Sequence, residues 1–313
     1  MRSPEARERM ILLMLYGLLG LAVTYIWLRL PNMDHLPGWH AKMIGGTAAA
    51  PNQYRMLTPW IIEALCSAFS VPLQRAYFIE RALVTGATLF VFDRYLRTWF
   101  SAAASLAGTA LLAAAIGFTS LQFGVQEADP INLMVVVLAF LAIARGKDWW
   151  LVPLMVLGTL NRETIAMIPA VYLLARWGSL PRKNVVSFTL VLGVLWLVTY
   201  GGLRLWFGHR DYYCDVFQLE WNLTATALHP WTPMQSVLMV FGGLWFLPIE
   251  GRKFAPPLIR RGLWLVPPFL LLHLVVARVD EARLFLPLAT ILVPLSLWAL
   301  LPLERNGRLS DGP

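Results

Sequence analysis

The chain has 313 residues, 58% of them hydrophobic and 14% charged, with a mean hydropathy of +0.60. A soluble domain carries about 25% charged and 45–50% apolar residues, so composition excludes a soluble enzyme and indicates a polytopic α-helical membrane protein. The net charge of +8 is read as membrane topology and not as a nucleic-acid footprint, because most Lys and Arg residues sit in short breaks between apolar blocks.

The first block runs from Met10 to Leu30, behind Arg2, Arg7 and Arg9. It is too long for the apolar core of a signal peptide, and no small-residue cleavage site follows before Leu30-Pro31, so it is expected to be a retained span. A polar loop follows with Asp34, His35, His40, Lys42 and Gln53-Tyr54-Arg55. The next apolar stretch, 56–71, is short for a span and holds Pro59 and Glu63. Further spans are expected at 76–93, 101–120, 130–145, 149–160, 164–177, 184–206, 233–249, 262–278 and 284–303. A helix needs about 20 apolar residues to cross hydrocarbon. The pair 149–160 and 164–177 falls short of that and reads as a hairpin with Asn161-Arg162-Glu163 at its tip.

Basic residues decide how 56–71 is placed. If it does not cross, sixteen of the 26 Lys and Arg residues share the cytoplasmic side, from Arg2 and Arg94 through Lys147, Arg182 and Arg260 to Arg308. If it crosses, that majority turns outward, against the positive-inside trend. The expected fold is therefore all-α: one membrane domain over 1–313, a bundle of about ten spans, an interfacial helix in the first outer loop, and both termini cytoplasmic.

In this orientation unusual polar groups gather on the outer face. They include Asp34, Arg55, Glu127, Asp129 of Asp129-Pro130, the Asn161-Arg162-Glu163 tip, Asp211, Asp215, Glu220, Glu281 and Arg283. Charge at a membrane edge is costly unless paired or hydrated and often marks a substrate path. Glu127, Asp211, Asp215 and Glu220 read chiefly as solvated loop residues, whereas Arg55, Arg162, Glu163 and Arg283 lie against apolar segments. There is no Gly-x-x-x-x-Gly-Lys-Ser/Thr motif. Cys66 and Cys214 form no redox motif, and the histidines lack His-x-x-x-His spacing, so no metal or cofactor is expected. Asn222-Leu223-Thr224 matches a glycosylation triplet of a kind common by chance.

The layout resembles the GT-C-type glycosyltransferases, polytopic enzymes that use polyprenyl-phosphate-linked sugars on the outer side of the membrane. The resemblance rests on Asp34 and 56–71 in the first outer loop, Asp129-Pro130-Ile131-Asn132 opening a helix, the Asn161-Arg162-Glu163-Thr164 tip, and Gln53-Tyr54-Arg55, over residues 10–300. It implies Asp34 as the base on an acceptor hydroxyl, Glu163 and Asp129 as orienting acids, and Arg55, Arg162 and Arg283 as ligands of the donor phosphate. It also implies a lipid-linked sugar donor, contact with membrane lipids, room for a membrane partner subunit, and a bacterial inner-membrane home. Two departures stand against the pattern. Asp34 is followed by His35 and not by a second acid, and a short polar tail stands where many members carry a soluble outer domain. A transporter or lipid flippase, a polysaccharide polymerase, and a non-catalytic subunit are the other readings.

Overall fold

A computed structural model describes residues 4–28, 35–122, 127–228 and 238–301. Asp34, Arg2, Arg305 and Arg308 lie outside these described residues. Regular structure among the described residues is helical, apart from two isolated bridges, Ala50 with Tyr212 and Trp177 with Leu180.

The helices in chain order are α1 (Pro4–Leu28), α2 (Leu36–Ile44), α3 (Leu57–Phe69), α4 (Leu73–Leu96), α5 (Ala102–Gln122), α6 (Asp129–Ala144) and α7 (Leu151–Asn161). They continue with α8 (Met167–Arg176), α9 (Arg182–Phe207), α10 (Leu219–Leu228), α11 (Pro257–Gly262), α12 (Val266–Val276) and α13 (Ala289–Leu300). Among the described residues, five helical stretches are long and apolar enough to cross a membrane: Met10–Trp27, Ala102–Ser120, Arg182–Phe207, Pro257–Val276 and Ala282–Leu300. The protein is an all-helical bundle with the hallmarks of a membrane protein. The 24-residue α4 is long enough but carries Arg75, Glu80, Arg81, Asp93 and Arg94. Helices α7 and α8 have 11 and 10 residues, matching the short hairpin expected from sequence.

Local chemistry sets the boundaries. Proline precedes α4 and α9 in extended backbone (Pro72, Pro181), and Pro130 sits in the first turn of α6, where its missing N–H costs nothing. Gly208, at φ +69°, ends α9. The described part of the expected 233–249 span is broken: a 3₁₀ turn at Gly242–Trp245 begins at φ +50°, and one α turn follows at Pro248–Gly251. A 3₁₀ stretch, Ala282–Leu288, carries Pro287 and leads into α13.

The last helix is the centre of the bundle, buried along nearly its whole length, while α9 packs at the periphery with most of its surface exposed. Two glycines permit the closest approaches of backbone to backbone. A Cβ on Gly20 of α1 would stand 2.7 Å from the Ala82 carbonyl oxygen of α4, and one on Gly251 would overlap the Leu295 carbonyl of α13. The Tyr95 hydroxyl donates to the Thr290 carbonyl at 2.7 Å and ties α4 to α13. At one end of the bundle basic side chains contact the neighbouring turns: Arg97 with Glu8, Arg145 with the Arg94 carbonyl, Arg176 with Asp148, and Arg261 with the Trp177 carbonyl.

Candidate functional site

The opposite set of polar residues forms one network, in which three chain segments bring the arginines and the start of α6 adds Asp129. In the first, Asn52–Tyr54 makes a 3₁₀ turn that delivers Arg55. Gln53 is fully buried: its amide nitrogen donates to the Met43 carbonyl at 3.0 Å, and its amide oxygen accepts from the Ala48 N–H at 2.8 Å. Tyr54 donates to the Gly208 carbonyl at 2.9 Å. The Gln53-Tyr54-Arg55 run thus spends its first two side chains on anchoring the loop and presents the third.

The second segment is the corner between α7 and α8. The helix stops at Asn161, Arg162 is extended, and Glu163 opens a 3₁₀ turn. Asn161, with no exposed surface, donates to the Ala128 carbonyl at 2.6 Å and accepts from the Thr58 hydroxyl at 2.9 Å, clamping α3 and the start of α6 to the corner. Thr164 donates to Asn132 at 3.2 Å. The third segment, ahead of α13, supplies Arg283.

Charges then interlock. Arg55 grips Glu163 through two nitrogens, Nε at 3.1 Å and Nη2 in a shorter contact. Arg162 donates to one oxygen of Asp129, and Arg283 Nε stands 3.1 Å from the other. Arg283 also donates to Glu281 at 2.5 Å. The three arginines are 7%, 5% and 8% exposed, so each buried charge is met by a carboxylate. Burial alone would raise the Glu163 carboxyl, but the Arg55 guanidinium beside it holds it well below the usual range. Burial lowers Arg55 in turn, and Glu163 outweighs that and raises it.

Five of the six residues singled out in sequence, Arg55, Asp129, Arg162, Glu163 and Arg283, therefore meet in one place; Asp34 lies outside the described residues. A small cavity of about 40 Å³, open to the surface, borders the network between α1, α4, α5 and α6. Trp27, Arg81, Thr85, Thr88, Thr119, Ser120, Asp129 and Arg283 line it, with Val23, Ile116, Leu133 and Leu286.

Sequence reading missed two members. Arg81 lies inside α4, which reads simply as a span, and its guanidinium sits 4.6 Å from the Trp27 ring centroid. Glu127 reads as a solvated loop acid, yet burial pushes it up to about 7 despite the nearby Arg81. The signal for Glu127 was its place two residues before Asp129-Pro130, and for Arg81 it was the charged pair Glu80-Arg81 inside an otherwise apolar stretch. Other loop groups have structural tasks. His40 accepts or donates between Tyr77 (2.7 Å) and Glu63 (2.8 Å), joining α2, α3 and α4. The Asn222 amide donates to the Leu274 and Ala277 carbonyls, both at 2.7 Å, so the asparagine of the glycosylation triplet is buried. Among the described residues no group of three or more His, Cys, Asp and Glu is arranged to hold a metal ion. No known protein family, curated protein or solved structure matches the chain.

Proposed function

We propose that this protein is a membrane glycosyltransferase that moves a sugar from a polyprenyl-phosphate-linked donor to an acceptor on the outer face of a bacterial inner membrane. The observation that carries the reading is the convergence of Arg55, Arg162 and Arg283 with Asp129, Glu163 and Glu281 at one end of an apolar bundle, beside a cavity. Buried guanidiniums matched to carboxylates are a preorganised setting for the charge that develops on a phosphate leaving group.

In this reading the bundle has ten spans, α3 lies at the outer interface, and both termini are cytoplasmic. The basic contacts around Arg97, Arg145, Arg176 and Arg261 then mark the cytoplasmic end. Arg55–Glu163 and Arg162–Asp129 hold the corner in shape, and Arg283 reaches the cavity wall. Asp34 takes the proton from the acceptor hydroxyl as that oxygen attacks the anomeric carbon and the bond to the phosphate oxygen breaks.

The test is transfer of labelled sugar from a polyprenyl-phosphate donor by purified protein, wild type beside Asp34→Asn and Glu127→Gln. Loss confined to Asp34→Asn supports its role. Loss confined to Glu127→Gln moves the base to that residue, and full activity in both removes a carboxylate base from either position. A transport reading is favoured by one observation: α4 buries Glu80 and Asp93 at opposite ends of the same helix. Uptake of a lipid-linked sugar into proteoliposomes without transfer would select it.

A further inference from the structure

Glu80 sits about two turns into α4 with 5% of its surface exposed, and its Oε1 is buried with no hydrogen-bond partner among the described residues. A buried carboxylate oxygen that no donor faces is costly, and a proton on that carboxyl removes the charge. The charged groups that face Glu80 are Arg81 on its own helix and Glu127 ahead of α6. A row of groups that can each give and take a proton leads from Glu80 to water. Tyr77 stands three residues before it, so the two side chains are neighbours on one face of α4. Glu127 and Glu80 are also the carboxylates that act most strongly on the Tyr77 hydroxyl. That hydroxyl is buried and meets His40 Nδ1 at 2.7 Å. His40 is buried too, and its Nε2 meets Glu63 Oε1 at 2.8 Å. The row ends at Glu63, whose side chain is 47% exposed.

An ionised carboxylate only accepts, so His40 Nε2 carries the imidazole hydrogen toward Glu63, Nδ1 is the acceptor, and the Tyr77 hydroxyl donates to it. The Tyr77 oxygen still has lone pairs with which to accept. Joining α2, α3 and α4 accounts for these two hydrogen bonds, but not for an unpartnered acid at one end of the row and a water-exposed acid at the other. We infer that Glu63, His40 and Tyr77 form a relay that carries protons between water and a buried proton-binding site at Glu80. Outward, Glu80 gives its proton to the Tyr77 oxygen and the Tyr77 hydrogen passes to His40 Nδ1. The Nε2 hydrogen then passes to Glu63, which releases it to water. One proton leaves Glu80, one reaches water, and every group between ends with the charge it began with. The neighbouring Glu127, pushed up to about 7 by burial, takes up protons near neutral pH and belongs to the same set of groups. The relay goes beyond the transfer reading and does not depend on it.

The experiment is infrared spectroscopy of the purified full chain in detergent at neutral pH. A protonated carboxyl has its own C=O stretching band, which shifts when its hydrogen is exchanged for deuterium. The band that Glu80→Gln removes is assigned to Glu80, and the rate of its shift on rapid dilution into heavy water reads the path. Glu63→Gln keeps an acceptor for the Nε2 hydrogen but cannot take up the proton, and Tyr77→Phe keeps the ring but loses the hydroxyl. Each should slow exchange about a hundredfold or more, the low end of what a positioned proton donor or acceptor contributes. His40→Ala should slow it as much, and added imidazole should restore the rate, a rescue that a purely structural histidine would not give. Because Glu63 is half-exposed, Glu63→Gln tests the relay even if the buried variants do not fold. Lys253→Gln, in an exposed pair with Glu250, should exchange at the parental rate. Absence of any Glu80-dependent band overturns the proton site. Parental exchange in either Glu63→Gln or Tyr77→Phe overturns the relay. No sugar donor enters the measurement, so a protein that transfers no sugar can still show the relay and an active transferase can lack it.

Discussion

Substituting Glu163 by Gln leaves the shape of the corner nearly unchanged but removes the charge that Arg55 faces. The cost can be bounded from two limits. Breaking a fully buried pair by removing one partner costs about 3–5 kcal/mol, and an exposed pair is worth about 0–1 kcal/mol. Arg55 is 7% exposed and the Glu163 side chain 32%, so the pair lies between them. Its coupling energy is expected to be about 2 kcal/mol. In a chain of this size that corresponds to a fall of about 3 °C in unfolding midpoint. The assay is a double-mutant cycle of Arg55→Met, Glu163→Gln and both together, read by thermal unfolding in detergent. The double variant should lose less than the sum of the singles by about 2 kcal/mol. Strict additivity, or a Glu163→Gln variant as stable as the parent, would refute the idea that this ion pair holds the corner.

Other outcomes follow from the same contacts. Burial raises Glu127 to about 7 in the folded state, so its contribution to stability is full below the ordinary carboxylate range and is lost as pH rises through about 7; Glu127→Gln should flatten the pH dependence of the unfolding midpoint over that window. Glu163 works the other way: Arg55 depresses its pKa, and its contribution is present above the ordinary carboxylate range and lost on strong acidification, which Glu163→Gln should abolish. Cys214 is exposed in the loop after α9, so a membrane-impermeant maleimide should label it from the outer side of intact cells, and labelling only after lysis would invert the proposed topology. Gly20→Val should separate α1 from α4 and destabilise the fold by about 1–3 kcal/mol, measured as a lower unfolding midpoint, because its branched side chain would meet the Ala82 carbonyl.

Much of the site was legible because a charge beside an apolar block needs a reason to be there. Arg55, Asp129, Arg162, Glu163 and Arg283 all end or begin apolar segments, and the structure brings them together. Their pairing was not legible, since nothing in chain order says that Arg55 meets Glu163 and not Asp129. Arg81 was hidden by the opposite effect: inside α4 it reads as a span's stray charge until α1 is packed against it and Trp27 lies beneath it. The short α7–α8 hairpin followed from its length, whereas α2 and α10 went unseen because both are brief helices in polar loops. Hydropathy also could not tell that α13 is central and α9 peripheral, since both are equally apolar in sequence. The broken 233–249 stretch depended on a positive φ at Gly242, which apolarity does not reveal.

The most direct test of the central claim is the initial rate of sugar transfer from a polyprenyl-phosphate donor by purified protein, comparing the parent with Arg283→Gln and with Arg252→Gln at the other end of the bundle. Arg283 borders both the ion-pair network and the cavity, so its loss should reduce transfer by about a hundredfold or more, the scale of removing one preorganised electrostatic contact to a leaving group, while Arg252→Gln transfers at the parental rate. Undiminished transfer in Arg283→Gln, or no transfer by the parent with any polyprenyl-phosphate sugar, would contradict the account.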